Sequence, residues 1–218
     1  MSIKKDLYII GASHLGREIE TLLDRIPESQ RDWIIRGFLH SYTDKSPLDG
    51  HQSDYQILGS WEDYPLTKED YCIIAVADCL WKEKLYVNIA TRATIFTYID
   101  ATSIVGKFTD IGEGSILGPH THLSTGSKLG KMVFINGGSQ IGHDCVIGDY
   151  TSIMSQVELG GGCKVGSRVL IGSHANLIPN IVVEDDAIIG AGSIVIKRVK
   201  THTTVFGNPA VRLFTNER

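Results

Sequence analysis

From Ile99 to Val195 an aliphatic residue returns at every sixth position without a break. The series runs Ile99, Val105, Ile111, Leu117, Leu123, Leu129, Ile135, Ile141 and Ile147. It continues through Ile153, Leu159, Val165, Ile171, Leu177, Val183, Ile189 and Val195. Four residues after each aliphatic stands a small or β-branched residue, such as Thr109, Ser115, Thr121, Ser127, Val133, Ser139 and Cys145. A helix cannot use this pattern, because six-residue steps walk around its 3.6-residue period. Short strands joined by sharp turns can, with one large and one small side chain inward per rung. Three rungs close a triangular coil, and coils stack at the parallel-strand spacing of about 4.8 Å. The residue after the aliphatic is often glycine, as at Gly106, Gly112, Gly118, Gly130, Gly142, Gly148, Gly160, Gly166, Gly172 and Gly190. A glycine recurring at one phase implies either unusual dihedrals or a tight approach of backbones.

The first hundred residues follow another rule. Leu7–Ile10, the turn Gly11-Ala12-Ser13-His14-Leu15-Gly16 and an amphipathic run through Ile19, Leu22, Leu23 and Ile26 predict a strand, a glycine turn and a helix. Further strands are predicted at Ile34–Leu39, Tyr71–Ala77 and Thr94–Tyr98, with a helix over Leu80–Ala93 and a polar loop over His40–Tyr55. Alternating strand and helix implies a small parallel sheet. The expected division is 1–98 for this Rossmann-like α/β domain and 99–218 for a parallel β-helix with a C-terminal closing loop. Gly11 to Gly16 lacks the third glycine of a dinucleotide fingerprint, and Phe38-Leu39-His40-Ser41 carries no acid at the end of the second strand. The turn still offers amide N–H groups and a helix N-terminus to an anion, so phosphate or nucleotide binding and a merely tight turn both stay open.

Composition narrows the function. Apolar residues make 42% and charged residues 21% of the 218, which fits a packed globular chain. A net charge of −4 speaks against a nucleic-acid partner. No stretch approaches a membrane span, and Leu7–Ile10 is too short for a signal-peptide core. Four cysteines without metal-ligand or redox spacing suit a reducing compartment, so a cytoplasmic location is expected. Cys145 and Cys163 fall one coil apart, which suggests two small residues in one core column and admits a disulfide.

The rungs are the hexapeptide repeat and resemble the left-handed β-helix acyltransferases. The whole chain resembles the sialic acid O-acetyltransferase family, which includes the UDP-4-amino-sugar N-acetyltransferases of bacterial glycan synthesis. That resemblance rests on Gly11-Ala12-Ser13 with Gly16, on Gly37-Phe38-Leu39 and on Ile141-Gly142-His143-Asp144-Cys145-Val146-Ile147-Gly148-Asp149. Leu177-Ile178-Pro179-Asn180 and Gly207-Asn208-Pro209-Ala210 with Arg212 extend it. It implies a left-handed coil, a homotrimer with acetyl-CoA held between neighbouring β-helices, and a sugar held partly by the N-terminal domain. It also implies His143 as general base and Asp144 as the acid that raises its basicity. Acetyl-CoA contacts are carried over to Ser152, Gly161, Ser173 and Ala191, with no metal. The expected sugar-site positions are Gly11, Ser13, His14, Leu15, His40, Ser41 and Ala77.

The residues agree with part of this independently. His143 stands two places after inward Ile141, so it should point outward, and Gly160-Gly161-Gly162 should stack over it with bare backbone. That supplies a base for a nucleophile's proton and an N–H for a carbonyl oxygen. The chain departs from the family at Ser152, where some relatives carry a second histidine. It departs again at His14-Leu15 and His40-Ser41, where the UDP-sugar enzymes have Gly-His and acids. Lys197, Arg198 and Lys200 suit either CoA phosphates or a solvated basic edge. Competing readings are a non-catalytic trimeric sugar- or nucleotide-binding protein, and a zinc carbonic-anhydrase-like enzyme using His120, His122 and His143.

Overall fold

The computed structural model describes residues 4–41 and 46–215. Residues 42–45 of the expected His40–Tyr55 loop, 1–3 of the polar N-terminus and 216–218 lie outside the described residues. The chain divides into two compact units, Met1–Ala77 with Trp81–Phe96, and Asp78–Leu80 with Thr97–Arg218.

The first unit is a five-stranded parallel sheet. Its elements in chain order are β1 (Lys5–Ile10), α1 (His14–Asp24), β2 (Trp33–Leu39), β3 (Ile57–Gly59), β4 (Tyr71–Ile74), α2 (Cys79–Ile89) and β5 (Thr94–Ile95). The strand order is β3-β2-β1-β4-β5. Leu7–Ile10 of central β1 are all buried, as a strand covered on both faces requires. Ile19 and Leu23 turn one stripe of α1 inward. A β carbon at Gly16 would collide with the Gly11 carbonyl, so the missing side chain lets α1 start directly against the end of β1.

Several boundaries differ from expectation. The three-residue edge strand β3 has too short an apolar run to announce itself. After Ile74 the chain makes one more ladder bond, Ala75 N–H to the Ile10 carbonyl at 2.9 Å, and then leaves the sheet. Helix α2 ends at Ile89, and of Thr94–Tyr98 only Thr94–Ile95 joins this sheet. Tyr98–Ile99 already pairs with Ile116–Leu117 as the first rung of the second unit.

That unit is a three-sided parallel β-helix of two-residue strands, each bonded to the strand one coil on, as Gln140↔Glu158 and Ile141↔Leu159 show. The rungs form three sheets along the prism. Inward aliphatics from Leu117 to Val195 make one continuous core, each contributing about 1.5–3 kcal/mol by leaving water. Ile99 and Val105 are exposed, because they belong to the first coil, below which no rung lies. The outward face of one sheet is apolar and buried at Tyr98, Ile116 and Phe134. The hairpin Thr203–Gly207 and Ala210–Thr215 closes the other end, its turn formed by the Asn208-Pro209 segment.

The column of small residues is also inward and buried. Its hydroxyls form a ladder: the Ser139 hydroxyl donates to the Met154 carbonyl at 2.9 Å and accepts from the Val157 N–H at 3.2 Å. Ser115 and Thr151 repeat both bonds. Buried hydroxyls are thus paired without any water. Cys145 and Cys163 occupy two steps of this column, both buried and without a disulfide.

The repeating glycines act by close approach. Gly142 has an ordinary φ, but a β carbon there would sit 2.6 Å from the Gly161 nitrogen of the next coil. The left-handed turn residue comes two places later, at Gly126, Asp144, Gly162 and Asn180 along one edge. Glycine, Asp and Asn tolerate that region best.

Candidate active site

The edge that carries His143 joins two of the three sheets. Its corners stack Lys107, Thr125, His143, Gly161, Pro179 and Lys197 in register, one per coil. The His143 side chain is 65% exposed, and its Nδ1 lies 2.8 Å from the Asp144 carboxylate. The left-handed turn at Asp144 (φ 57) brings the carboxylate back to its own neighbour's ring. Held this way, Nδ1 carries the proton and Nε2 is free to accept one.

Glycines border this pair above and below. A β carbon at Gly161 would collide with Nε2 of His143, and one at Gly126 would stand 2.5 Å from the Asp144 carboxylate. Among the described residues the Gly161 N–H donates to no acceptor, while Gly162 N–H bonds the His143 carbonyl at 2.8 Å. An exposed imidazole therefore lies against the bare backbone of Gly161, whose N–H has no acceptor among the described residues. Gly126 was not singled out from the sequence, although its place one coil below Asp144 follows from the six-residue count.

Ser173 and Ala191 stack one coil apart on a different edge, the one across the sheet that holds Gln140 and Glu158. The single chain does not bring them together with Gly161. Ser152 lies on the flat of a rung and is fully buried, so its hydroxyl is not on open surface. His120 sits at a corner and His122 on a flat, and among the described residues no three His, Cys, Asp or Glu side chains converge as a metal site.

A second concavity lies within the first unit, at the ends of β1, β2 and β4. All seven positions expected at the sugar site line it: Gly11, Ser13, His14, Leu15, His40, Ser41 and Ala77. Its volume is about 350 Å³. The N-terminus of α1 opens here with no side-chain cap on its amides. The Ala12 N–H donates to Nδ1 of His40 at 3.4 Å, a bond that needs the neutral imidazole. Burial lowers the His40 pKa, which agrees.

Three contributors escaped sequence reasoning. Trp61 and Trp81 line the same cavity, their rings edge to face at 6.2 Å. Glu62 hydrogen-bonds the hydroxyls of Ser41 and Ser60. Partial burial raises the Glu62 pKa, but the two hydroxyls outweigh it and hold the carboxyl below its ordinary value. Glu62 thus brings a carboxylate beside Ser41 from another loop. No local motif marks these residues, since they meet only through the fold.

The bacterial transferase hexapeptide family (six repeats) matches residues 126–161, the stretch that contains His143, Asp144 and Gly161. No curated protein matches the sequence. Among solved structures, the acetyltransferase domain of PglB from Neisseria gonorrhoeae FA1090 is similar, with a TM-score of 0.86 and 23% identity over 96% of this chain and 100% of that one. PerB from Caulobacter crescentus, solved with CoA and GDP-perosamine, gives 0.82 and 20% over 96% and 97%. WeeI from Acinetobacter baumannii AYE gives 0.69 and 26% over 96% and 100%. The chain thus carries the bacterial transferase hexapeptide repeat and has the fold of these proteins, a small parallel sheet followed by a left-handed β-helix.

Proposed function

We propose that this protein is an acetyl-CoA-dependent acetyltransferase that modifies an amine or hydroxyl of a nucleotide-linked sugar for bacterial surface glycans, with His143 as general base. The observation that carries this reading is the exposed His143 imidazole, fixed through Nδ1 by Asp144 and facing the unpaired Gly161 N–H. The sugar's amine or hydroxyl attacks the thioester carbonyl while Nε2 of His143 takes its proton. The Gly161 N–H steadies the negative charge that develops on the carbonyl oxygen. The C–S bond then breaks, and the proton on His143 passes to the departing thiolate. Cys145 and Cys163 take no part, being buried in the core with their thiols bonded to the Gly160 and Ile178 carbonyls.

The far end of the same edge suits the rest of CoA. Lys197 lies three coils beyond His143, roughly 14 Å at the parallel-strand spacing, a distance an extended pantetheine arm spans. Lys197, Lys200 and Arg212 line a cavity of about 370 Å³ there, whereas Arg198 is engaged by Glu184 at 2.7 Å. Ser173 and Ala191 lie on another edge, so they meet the same cofactor when a neighbouring protomer supplies them. A homotrimer satisfies that requirement.

The N-terminal cavity suits a nucleotide, with the α1 amides toward phosphate and the Trp61 and Trp81 rings toward the base. Related folds support this use: PerB was solved with GDP-perosamine, and the PglB domain with acetyl coenzyme A. Use of acetyl-CoA and a nucleotide-linked sugar supports a cytoplasmic reaction; separately, among the described residues no helix is long and apolar enough to cross a membrane. The test is free-thiol release from acetyl-CoA over UDP-, GDP- and dTDP-linked amino sugars and free sialic acid, with the product identified by mass. A gain of one acetyl group on a nucleotide-linked sugar is the expected result. Turnover on free sialic acid alone would overturn the nucleotide requirement, and ligand binding without turnover would favour a non-catalytic binding protein.

A further inference from the structure

The loop that brings Trp61 to the N-terminal cavity is held more firmly than a surface turn requires. The Arg92 guanidinium, just past the end of α2, donates to the carbonyls of Trp61, of Glu62 at 3.0 Å and of Tyr64 at 3.4 Å. Those bonds fix the main chain on both sides of Glu62. The Glu62 side chain is exposed, yet it is oriented as well. Its Oε2 accepts the hydroxyls of Ser41 and Ser60, and its backbone N–H donates to the Ser60 hydroxyl at 3.2 Å. Two hydroxyls fill the lone pairs of that oxygen, whereas Oε1 accepts no hydrogen bond among the described residues. On open surface such an arrangement adds little to stability, because water serves a carboxylate as well and side-chain freedom is lost. A fixed carboxylate with one oxygen left open is what a ligand's N–H donors require.

The position gives the ligand its chemistry. Ser41, which Glu62 bonds, and Trp61, which precedes it, both line the cavity, and so does Trp81. The Lys84 ammonium lies over the Trp81 ring, 4.5 Å from its centre, and its charge acts on the Glu62 carboxyl. An open carboxylate oxygen and a cation thus accompany the indoles. Among the common bases guanine alone presents a carbonyl followed by two adjacent N–H donors, at N1 and the exocyclic N2. Uracil and thymine have a carbonyl on each side of their one N–H, and an acceptor-only carboxylate repels the second of these. Adenine and cytosine set an unprotonated ring nitrogen beside their amino group, which is repelled likewise.

We propose that Glu62 is the base-selecting residue of this cavity and that the nucleotide it takes is a guanosine diphosphate, with N1–H and N2–H donating to the carboxylate and Lys84 meeting O6. The assignment rests on the reading of the cavity as a nucleotide site and is independent of the role of His143.

The test is calorimetric titration of the full-length protein with GDP, inosine diphosphate, UDP and dTDP. GDP should bind at least about tenfold more tightly than UDP or dTDP, the worth of a charge-assisted hydrogen bond. Inosine diphosphate, which differs from GDP only in lacking the N2 amino group, should bind more weakly than GDP. Glu62→Gln can still accept from both serines but turns an amide N–H toward the base. It should weaken GDP about tenfold and leave UDP unweakened. Equal binding of GDP and inosine diphosphate by wild type would overturn the assignment, and this arm decides whether or not the variant folds. A preference for GDP that survives Glu62→Gln would overturn it too. A preference for UDP that Trp81→Ala weakens would sink the guanine assignment and leave the nucleotide site standing. Binding of none of the four diphosphates would overturn both.

Discussion

The two units build their candidate sites by opposite means. In the β-helix every corner repeats its neighbours, and the site arises where the repeat is interrupted: an outward His143, a returning Asp144 carboxylate, and glycines above and below. In the parallel sheet nothing repeats. The cavity there collects residues from the ends of β1, β2 and β4, from the loop holding Trp61 and from α2. A periodic scaffold fixes position through register, so one missing side chain clears a defined space. An aperiodic one fixes position through packing, so its site tolerates changes at any single lining residue more readily.

The largest effect that would break this contrast is at Gly161. A methyl group at that position would collide with the imidazole of His143, so Gly161→Ala should push the ring out of place and lower kcat about a hundredfold, the worth of a positioned general base. Circular dichroism and the melting temperature check that the coil survives. If kcat holds, position in the β-helix is not set by register in the way described.

Next comes the hydroxyl ladder. Ser139→Ala leaves the Met154 carbonyl and the Val157 N–H without their buried partner, at a cost of about 1–3 kcal/mol. Urea unfolding measures it, and Ser139→Thr should recover most of the loss.

In the first unit the expected effects are smaller. Trp81→Ala should raise the acceptor KM about tenfold with kcat preserved, since one stacking surface is lost while Trp61 remains. A loss of kcat with no change in KM would contradict a binding role.

The smallest effect is a pH dependence. Burial lowers the His40 pKa from its ordinary 6.5, and its Nδ1 accepts from Ala12. The neutral form is favoured in the folded protein, so its contribution is complete above pH 6.5 and is lost as pH falls through the lowered folded value. Wild type should therefore lose more thermal stability than His40→Gln between pH 7 and pH 5. Equal losses would remove His40 from that role.

Legibility followed the same division. The rungs are readable because the core column recurs at a fixed interval, and one coil's count alone sets Gly161 over His143. Gly126 obeys the same count. The sheet's strands were readable from their apolar runs, but β3 is three residues long and its burial is incomplete. Trp61 and Trp81 reach their cavity, and Glu62 reaches Ser41, through tertiary packing, which leaves no pattern along the chain. Ser152 shows the reverse case: the repeat places it on an outward phase, yet the residue is buried.

The central claim is that His143 is the base. Free-thiol release from acetyl-CoA, measured with wild type and His143→Ala over the UDP-, GDP- and dTDP-linked amino sugars, tests it most directly. The account predicts turnover on at least one sugar and a fall of about a hundredfold or more in the variant, with melting temperature and oligomeric mass unchanged. Equal turnover by both proteins would contradict it.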